Sequence, residues 1–255
     1  MIQLTHLSKR FGDKIAVNDL NMILEPGKVM GLIGQNGAGK TTTFRMILNF
    51  IVPTSGTITW DNRPITQKDK QKIGFLPEER GLYQKLTIEE QILYFAELHG
   101  MSRADAKSEL THWLKRLDVV GKASDKVQSL SKGNAQKVQM IASLIFKPEF
   151  IILDEPFSGL DPVNTSIMMS EIMRMRDQGA MIIFSSHDMN NVTKISDNLT
   201  MLKQGKSILQ GGVQEIREQF GRTKVYIEGP FSREELAHLP GVINVIPQGA
   251  GFDLT

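Results

Sequence analysis

Cysteine is absent from the 255 residues of this chain. Its absence excludes a disulfide framework, a thiolate-bound metal and a cysteine nucleophile, and it fits a reducing compartment. Net charge is almost absent as well, since 30 Lys and Arg face 28 Asp and Glu and leave a formal charge of +2. The charge therefore does not indicate the strongly basic surface of a nucleic-acid binder, and we expect no nucleic-acid partner.

Long apolar runs are also missing. The sequence contains no stretch of about eighteen apolar residues, so we expect no segment of it to span a bilayer. The first residues, Met1–His6, show neither the basic start nor the apolar stretch of a secretory signal. These absences predict a cytosolic protein that reaches a membrane only through a partner.

The residues that are present suit an α/β fold. Apolar residues make up 40% of the chain, which is enough for a sizeable core. The order of Phe150–Leu153, Pro162–Gln178 and Met181–Ser185 is strand, helix, strand, and this order predicts a parallel sheet. Thr87 and Glu90 form a capping-box pattern at the start of a helical stretch that covers about residues 84–130.

The end of the chain reads as a separate small module. We expect the main domain to cover residues 1–221 and an α+β appendage to cover residues 222–255. The appendage has too few residues for an ordinary independent core. It either packs on the main domain or is an incomplete module, and the sequence favours neither.

A phosphate-binding loop is the strongest motif. Gly34–Thr41 follows the apolar run Val29–Ile33 and matches G-x-x-x-x-G-K-[ST] at each fixed position. Such a loop directs backbone N–H groups and a helix N-terminus at phosphates. The residues expected to bind a triphosphate are Gly34, Asn36, Gly37, Ala38, Gly39, Lys40, Thr41 and Thr42. The alternative is a glycine-rich turn before an ordinary helix.

Roles within that loop follow from its chemistry. Lys40 is expected to reach the β- and γ-phosphates, and the Thr41 hydroxyl is expected to bind Mg²⁺. Thr42 lies beside them and is expected near the α-phosphate.

Two adjacent carboxylates end the apolar strand Phe150–Leu153. Because successive strand residues face opposite ways, Asp154 and Glu155 can have different roles. We expect Asp154 to hold Mg²⁺ and Glu155 to polarise the attacking water, with His187 as a second γ-phosphate contact. The alternative is that the two carboxylates are solvated turn residues and the histidine is an ordinary surface residue.

These motifs occur in the order of the ATP-binding cassette family, which residues 1–221 resemble. The segment Gly74–Glu78 stands where that family has its Q-loop, and Leu130–Gln136 resembles its signature. Ser158–Asp161 follows the acidic strand, and His187 closes the set. Phe11 matches the aromatic residue that stacks on adenine.

The resemblance implies a fold and a mode of action. The fold is an α/β ATPase with a mixed or parallel core sheet, an N-terminal antiparallel β subdomain and a helical subdomain. Two copies are expected to enclose two ATP molecules, with Ser131, Gly133 and Asp161 of each copy acting on the other copy's nucleotide. ATP and Mg²⁺ are the implied cofactors.

The resemblance also implies membrane partners. Residues 76–83, the segment 130–134 and the small appendage look like the ATPase chains of bacterial sodium-efflux or drug-resistance exporters. In such systems a separate integral-membrane permease carries the cargo, so this chain is expected on the inner face of the cell membrane. The helical subdomain is expected to meet the permease. Cargo, and the choice between identical and different ATPase chains, stay open.

Two positions depart from the family pattern. Glu78 stands in place of the usual glutamine; it keeps an acceptor for Mg²⁺ or water, so we expect it in the catalytic and metal-binding set, but it loses the amide donor. In the signature, Lys132 replaces glycine and Asn134 replaces glutamine, whereas Ser131 and Gly133 remain. We therefore expect an active ATPase.

Two alternatives to a transporter subunit remain. A soluble ATPase of the same family that acts on nucleic acid or ribosomes usually has two cassettes or a long coiled-coil insertion, and this chain has neither. A regulatory module without turnover is disfavoured by Glu155 and His187.

Overall fold

A computed structural model describes residues 1–79, 81–220 and 225–255, without the side chains of residues 219 and 220. The chain divides into two compact units, Met1–Gly211 and Gly212–Thr255. The boundary predicted between residues 221 and 222 lies outside the described residues.

The first unit alternates strands and helices along the chain. Its elements are β1 (Ile2–Phe11), β2 (Lys14–Leu24), β3 (Val29–Ile33), α1 (Lys40–Ile47), β4 (Ser55–Trp60), β5 (Arg63–Pro64), α2 (Gln67–Lys70), β6 (Ile73–Leu76), α3 (Ile88–Leu98), α4 (Arg103–Arg116), a 3-10 turn (Val127–Ser129), α5 (Lys132–Leu144), β7 (Phe150–Leu153), α6 (Pro162–Asp177), β8 (Met181–Ser186), α7 (Met189–Ile195), β9 (Asn198–Lys203) and β10 (Lys206–Gly212).

Two sheets form the body of this unit. Strands β2, β1, β4 and β5 make an antiparallel sheet in that order. Strands β10, β9, β3, β8, β7 and β6 make a second sheet, in which β9, β3, β8, β7 and β6 run parallel. Strands β3, β7 and β8 are buried along their whole length, as expected for parallel strands that are covered on both faces. The predicted parallel sheet is confirmed.

The apolar core lies between the two sheets and around helix α1. Leu4 and Met22 from the antiparallel sheet, Phe44 from α1 and Ile152 from β7 belong to one buried cluster. The edge of Trp60 packs on Phe150, with ring centroids 6.1 Å apart. This core holds the parallel strands against the helix that follows β3, and so sets the position of the loop between them.

Helices α3 and α4 occupy the predicted helical stretch. Thr87 and Glu90 form the predicted capping box, because each side chain bonds the other's backbone N–H. Leu110 and Trp113 of α4 are buried, and α3 packs against both α4 and α5.

One strand differs from the sequence pattern. Two short apolar runs, residues 15–17 and 20–24, predict two separate strands, but β2 is a single strand. Asp19 takes a positive φ of 55° inside it, and the pairing with β1 shifts register nearby. A local bulge therefore interrupts the alternation of side chains without ending the strand.

The second unit is a small α+β structure. It contains α8 (Val213–Phe220), β11 (Val225–Glu228), α9 (Arg233–Ala237), β12 (Val245–Gln248) and β13 (Gly251–Leu254), with strand order β11-β13-β12. Leu236 of α9 packs on Val245 and Leu254 as its core. Ser232 caps α9 with a capping box. The sequence pattern of residues 242–246 predicts a strand from Val242, but β12 begins at Val245. The backbone of Ile243 and Asn244 bonds Thr255 instead.

Among the described residues, no helix has both the length and the apolar character needed to cross a bilayer.

Candidate functional site

A cavity of about 360 Å³ opens where β3 and β7 end. The carboxyl ends of parallel strands are where open α/β sheets bind their ligands. The cavity is lined by Phe11, Lys14, Ala16, Gln35, Asn36, Gly37, Ala38, Gly39, Lys40, Thr41, Thr42, Glu78, Asp154 and Glu155. All but three of these residues were predicted from the sequence to act on a nucleotide.

The loop between β3 and α1 has the geometry of an anion cradle. Gly39 has a φ of 111°, and a Cβ at this position would lie 2.5 Å from the Ala16 carbonyl oxygen. Only glycine fits that conformation and that space. Helix α1 starts at the next residue with no acidic side chain in its first turn, so its N-terminal N–H groups and dipole face the cavity without a competing carboxylate.

Lys40 is held inside this loop. Its side chain is almost fully buried, and Nζ donates a hydrogen bond of 2.6 Å to the Gly34 carbonyl oxygen. Gly34 itself does not line the cavity, but it holds the lysine that does. The ammonium group is thus placed at the floor of the cradle.

Asp154 is oriented by two hydroxyl groups. Thr41 Oγ1 donates a hydrogen bond of 2.9 Å to Asp154 Oδ2, and Ser185 Oγ donates one of 2.6 Å to Asp154 Oδ1. The parallel register pairs Leu153 of β7 with Phe184 of β8, so Asp154, just after β7, lies beside Ser185. A hydroxyl and a carboxylate side by side are hard oxygen donors, which fit Mg²⁺.

The described residues contain no group of three His, Asp or Glu side chains that would hold a metal by protein ligands alone.

Glu155 turns the other way from Asp154. Its φ of 48° is left-handed. The two carboxylates therefore point in different directions because of a sharp turn, and not because side chains alternate along an extended strand. His187 Nδ1 lies 3.0 Å from Oε2, and Lys40 Nζ lies 3.4 Å from Oε1. The lysine is near enough for an ion pair but is not aligned for a hydrogen bond, and among the described residues Oε1 accepts none. This oxygen is a buried acceptor suited to a water molecule in the cavity.

Glu78 lies at the mouth of the cavity after β6. The side chain is exposed. Gln139 of α5 donates from Nε2 to the carbonyl oxygens of Pro77, at 3.3 Å, and Glu79, at 3.1 Å. The backbone on both sides of Glu78 is therefore hydrogen-bonded to α5, the helix that Ser131 caps.

Ser131, Gly133 and Asp161 do not line the cavity. Ser131 is exposed and caps α5, accepting from Asn134 N at 3.3 Å. Asp161 is exposed and caps α6. The backbone N–H and side chain of Asn164 hold the pKa of Asp161 below its usual value. One copy of the chain therefore brings the loop and the acidic strand together and leaves these three residues at its surface.

Some site residues were not found from the sequence. Ser185 is fully buried and bonds both acidic residues, yet a serine at the end of an apolar strand has no distinguishing pattern. Lys14 and Ala16 reach the cavity through the pairing of β1 with β2. Gln35 occupies a variable position of the loop motif. Its place inside that motif is the sequence feature that could have identified it as a site residue.

Comparison with known proteins agrees with this geometry. The family described as "ABC transporter" matches residues 17–158. An uncharacterized ABC transporter ATP-binding protein, YhaQ of Bacillus subtilis (strain 168), is 45% identical over 243 residues, which cover 95% of this chain and 82% of YhaQ. The Nod factor export ATP-binding protein I of Burkholderia lata is 32% identical over 233 residues, covering 90% of this chain and 77% of the relative.

A solved structure has the same architecture. The "Structure of ATP binding subunit of ABC transporter" superposes with a TM-score of 0.79 and 28% identity, over 86% of this chain and 93% of the other. The resemblance inferred from the motifs is confirmed. The chain therefore belongs to the ABC transporter family, as an ATP-binding subunit that hydrolyses ATP.

Proposed function

We propose that this chain works as one half of an ATPase dimer that drives a separate membrane permease, as part of an exporter. The observation that carries the proposal is the cavity in which the Gly34–Thr41 loop meets Asp154 and Glu155.

Lys40 and the N-terminus of α1 bind the phosphates of ATP. Phe11, half exposed at the end of β1, offers its ring to the adenine. Thr41 and Asp154 would hold Mg²⁺, whose charge offsets that of the phosphates. Thr42 lies next to Thr41 in the same cavity and is suited to the α-phosphate.

Glu155 acts on the attacking water. Its Oε1 is a buried acceptor without a hydrogen bond from the described residues, and a carboxylate in that position orients the water and takes its proton. His187 bonds Oε2 at 3.0 Å and keeps the carboxylate turned toward the cavity. The histidine side chain is largely exposed, which lets it contact the γ-phosphate as well.

Glu78 contributes from the cavity mouth. A carboxylate there can accept from a water bound to Mg²⁺, as the usual glutamine does through its carbonyl oxygen. Because Glu78 adds a negative charge near the phosphates, it weakens phosphate binding relative to glutamine unless the cation is present.

A second copy completes the site. Ser131 caps a helix of 13 residues that has no acidic residue in its first turn, and it lies outside its own chain's cavity. Such a helix start suits a triphosphate held by another copy. Gly133 and Asp161 are proposed to act on the same triphosphate. We propose a homodimer with two ATP molecules between the chains.

The permease would dock on an apolar groove beside α3. The groove has a volume of about 400 Å³ and includes Phe50, Phe75, Leu82 and Phe95. The Phe50 side chain is 65% exposed and adjoins the half-buried Phe75 and Phe95 in the same groove, and a contiguous apolar surface of this kind is typical of partner sites. The permease places the chain on the inner face of the cell membrane. The name of the Nod factor export relative supports export as the direction of transport.

Glu155→Gln tests the proposed function. Loss of the base is expected to lower ATP turnover by roughly 10²- to 10⁴-fold and to leave ATP binding intact. With Mg²⁺-ATP, size-exclusion chromatography of the variant is expected to show a stable dimer, because the γ-phosphate between the chains is no longer removed.

Lys40→Ala is the matched control within the same cavity. It is expected to weaken ATP binding itself, as measured by calorimetry, and to give no ATP-dependent dimer. A Glu155→Gln protein that stays monomeric with ATP and turns over near the wild-type rate would contradict the assignment.

A further inference from the structure

Lys132, which replaces the usual signature glycine, lies across the Ser158–Asp161 segment of its own chain. A methyl group at Gly159 would lie 2.6 Å from Lys132 Nζ and 3.1 Å from Cε. The ammonium group therefore rests directly on the backbone of Gly159. Among the described residues, no carboxylate forms an ion pair with Lys132, so no acidic side chain draws this group elsewhere.

The segment under Lys132 is close to the catalytic carboxylate. Gly159 has a left-handed φ of 69°. The N–H of Ser158, just before it, donates a hydrogen bond of 3.1 Å to the Glu155 carbonyl oxygen. The N–H of Leu160, just after it, donates one of 3.2 Å to Phe157. The conformation at Gly159 is thus one tight turn away from Glu155.

A second contact joins the same two segments. A Cβ at Gly133 would lie 3.2 Å from Asn164 Nδ2. Asn164 in turn bonds the Asp161 carboxylate through both its backbone N–H and its side-chain amide. A Cβ at Gly133 would also lie 3.9 Å from Leu160 Cδ2. The start of α5 therefore lies against this segment at two neighbouring residues, with Lys132 at Gly159 and Gly133 at Leu160.

We propose that Lys132 is a positioning residue that couples the two ATP sites of the dimer through a single chain. This proposal rests on the proposed function, in which the Ser131 turn serves the partner's ATP and Glu155 serves the chain's own. When ATP draws the Ser131 turn into place, Lys132 moves with it and holds Gly159 in its left-handed turn. This turn then fixes the position of the Glu155 carboxylate. A glycine at position 132 would leave Gly159 uncovered on this side.

Lys132→Gly and Lys132→Met test this coupling in the full-length chain. Both are expected to lower kcat roughly tenfold, equivalent to about 1.4 kcal/mol, and to bring the Hill coefficient for ATP from above 1 toward 1. The affinity of the dilute, monomeric chain for ATP is expected to stay within about twofold, since Lys132 does not line its own cavity. The methionine variant keeps the aliphatic stem and so isolates the ammonium group.

A double-mutant cycle with Gly159→Ala tests the contact itself. In the wild type the added methyl strains the left-handed φ and also displaces the exposed end of the Lys132 side chain from Gly159, whereas in the Lys132→Gly background it only strains the φ. Because the backbone cost is common to both, the cycle reports the contact alone. Gly159→Ala is therefore expected to lower kcat by a larger factor in the wild type than in the Lys132→Gly background. Lys115→Met, which removes an exposed lysine of α4, controls for the loss of surface charge.

The outcomes separate this proposal from the proposed function. A Glu155→Gln protein with no ATP-dependent dimer, together with a wild type whose Hill coefficient is 1, would overturn both. A Glu155→Gln protein that dimerises with ATP and a wild type that hydrolyses ATP cooperatively, with Lys132 variants that behave like the wild type and additive effects in the cycle, would overturn the role of Lys132 alone.

Discussion

At the scale of single residues, the site depends on a few buried side chains with more than one partner. Ser185 is the clearest case, because its hydroxyl donates to Asp154 Oδ1 at 2.6 Å and accepts from the Glu155 N–H at 2.8 Å. One hydroxyl thus positions both acidic residues. Lys40 acts similarly at the floor of the loop, between Gly34 and Glu155.

Ser185→Ala is expected to reduce both stability and turnover. The change leaves a buried N–H and a buried carboxylate oxygen without their partner, at a cost of about 1–3 kcal/mol in the free energy of unfolding. Turnover is expected to fall more than ATP affinity, because Glu155 loses its backbone anchor while the loop stays intact. Urea denaturation and steady-state ATPase assays measure the two effects.

Ser186→Ala is the control for this prediction. Ser186 is the next residue of β8 and is also buried, but within the described part of the chain its hydroxyl bonds only Asp188. If the two variants had equal effects on turnover, Ser185 would have no special part in positioning the carboxylates.

At the scale of elements, the ends of strands and the starts of helices carry the chemistry. Strands β3, β7 and β8 end side by side, so the loop, the acidic pair and His187 converge although they are far apart in sequence. The helix starts supply N–H groups at the loop and at Ser131. The alternation of short strands and helices was readable from the sequence because buried parallel strands are continuous apolar runs.

The short helix α2 depends on a buried carboxylate. Arg63 holds Asp69 with two hydrogen bonds of 2.6 Å and 2.9 Å, and Thr66 donates both its N–H and its hydroxyl to the same group. These partners, Arg63 foremost, lower the pKa of Asp69 well below its ordinary value of 3.8. A carboxyl with a depressed pKa stabilises the folded state above its unfolded pKa, and this stabilisation is lost as the pH falls below 3.8.

Asp69→Asn is therefore expected to lower the free energy of unfolding by about 1–3 kcal/mol at pH 7. The difference from the wild type is expected to shrink as the pH falls below 3.8. Arg63→Met removes the main partner from the other side and is expected to show the same trend in urea denaturation. Curves for wild type and variants that stay parallel down to pH 3 would contradict this account of α2.

At the scale of the whole molecule, the first unit has two distinct functional surfaces. One comprises the cavity, Ser131 and Asp161, which we propose face a second copy. The other is the apolar groove of Phe50 and Phe95, which we propose faces a permease. Gln139 of α5 ties the Pro77–Glu79 backbone to the helix that starts at Ser131, so closure around ATP can move the groove.

A photo-cross-linker at Tyr83, which is 56% exposed at the edge of this region, is expected to capture an integral-membrane protein from native membranes. The same cross-linker at Ile23, which is 48% exposed on the antiparallel sheet, is the control and is expected to capture none. Capture at Ile23 in preference to Tyr83 would place the permease elsewhere on the chain.

Much of the architecture and most of the candidate site could be predicted from local sequence. The Gly34–Thr41 loop, the capping box at Thr87 and the strand before Asp154 are patterns of neighbouring residues, and their geometry follows from backbone sterics and short-range hydrogen bonds. Only the tertiary structure revealed three features. They are the role of Ser185 in holding the acidic pair, the position of Lys14 and Ala16 in the cavity wall, and the contact between Lys132 and Gly159. These contacts join residues that are distant in the chain and have no spacing to mark them, so they exist only once the strands have taken their register.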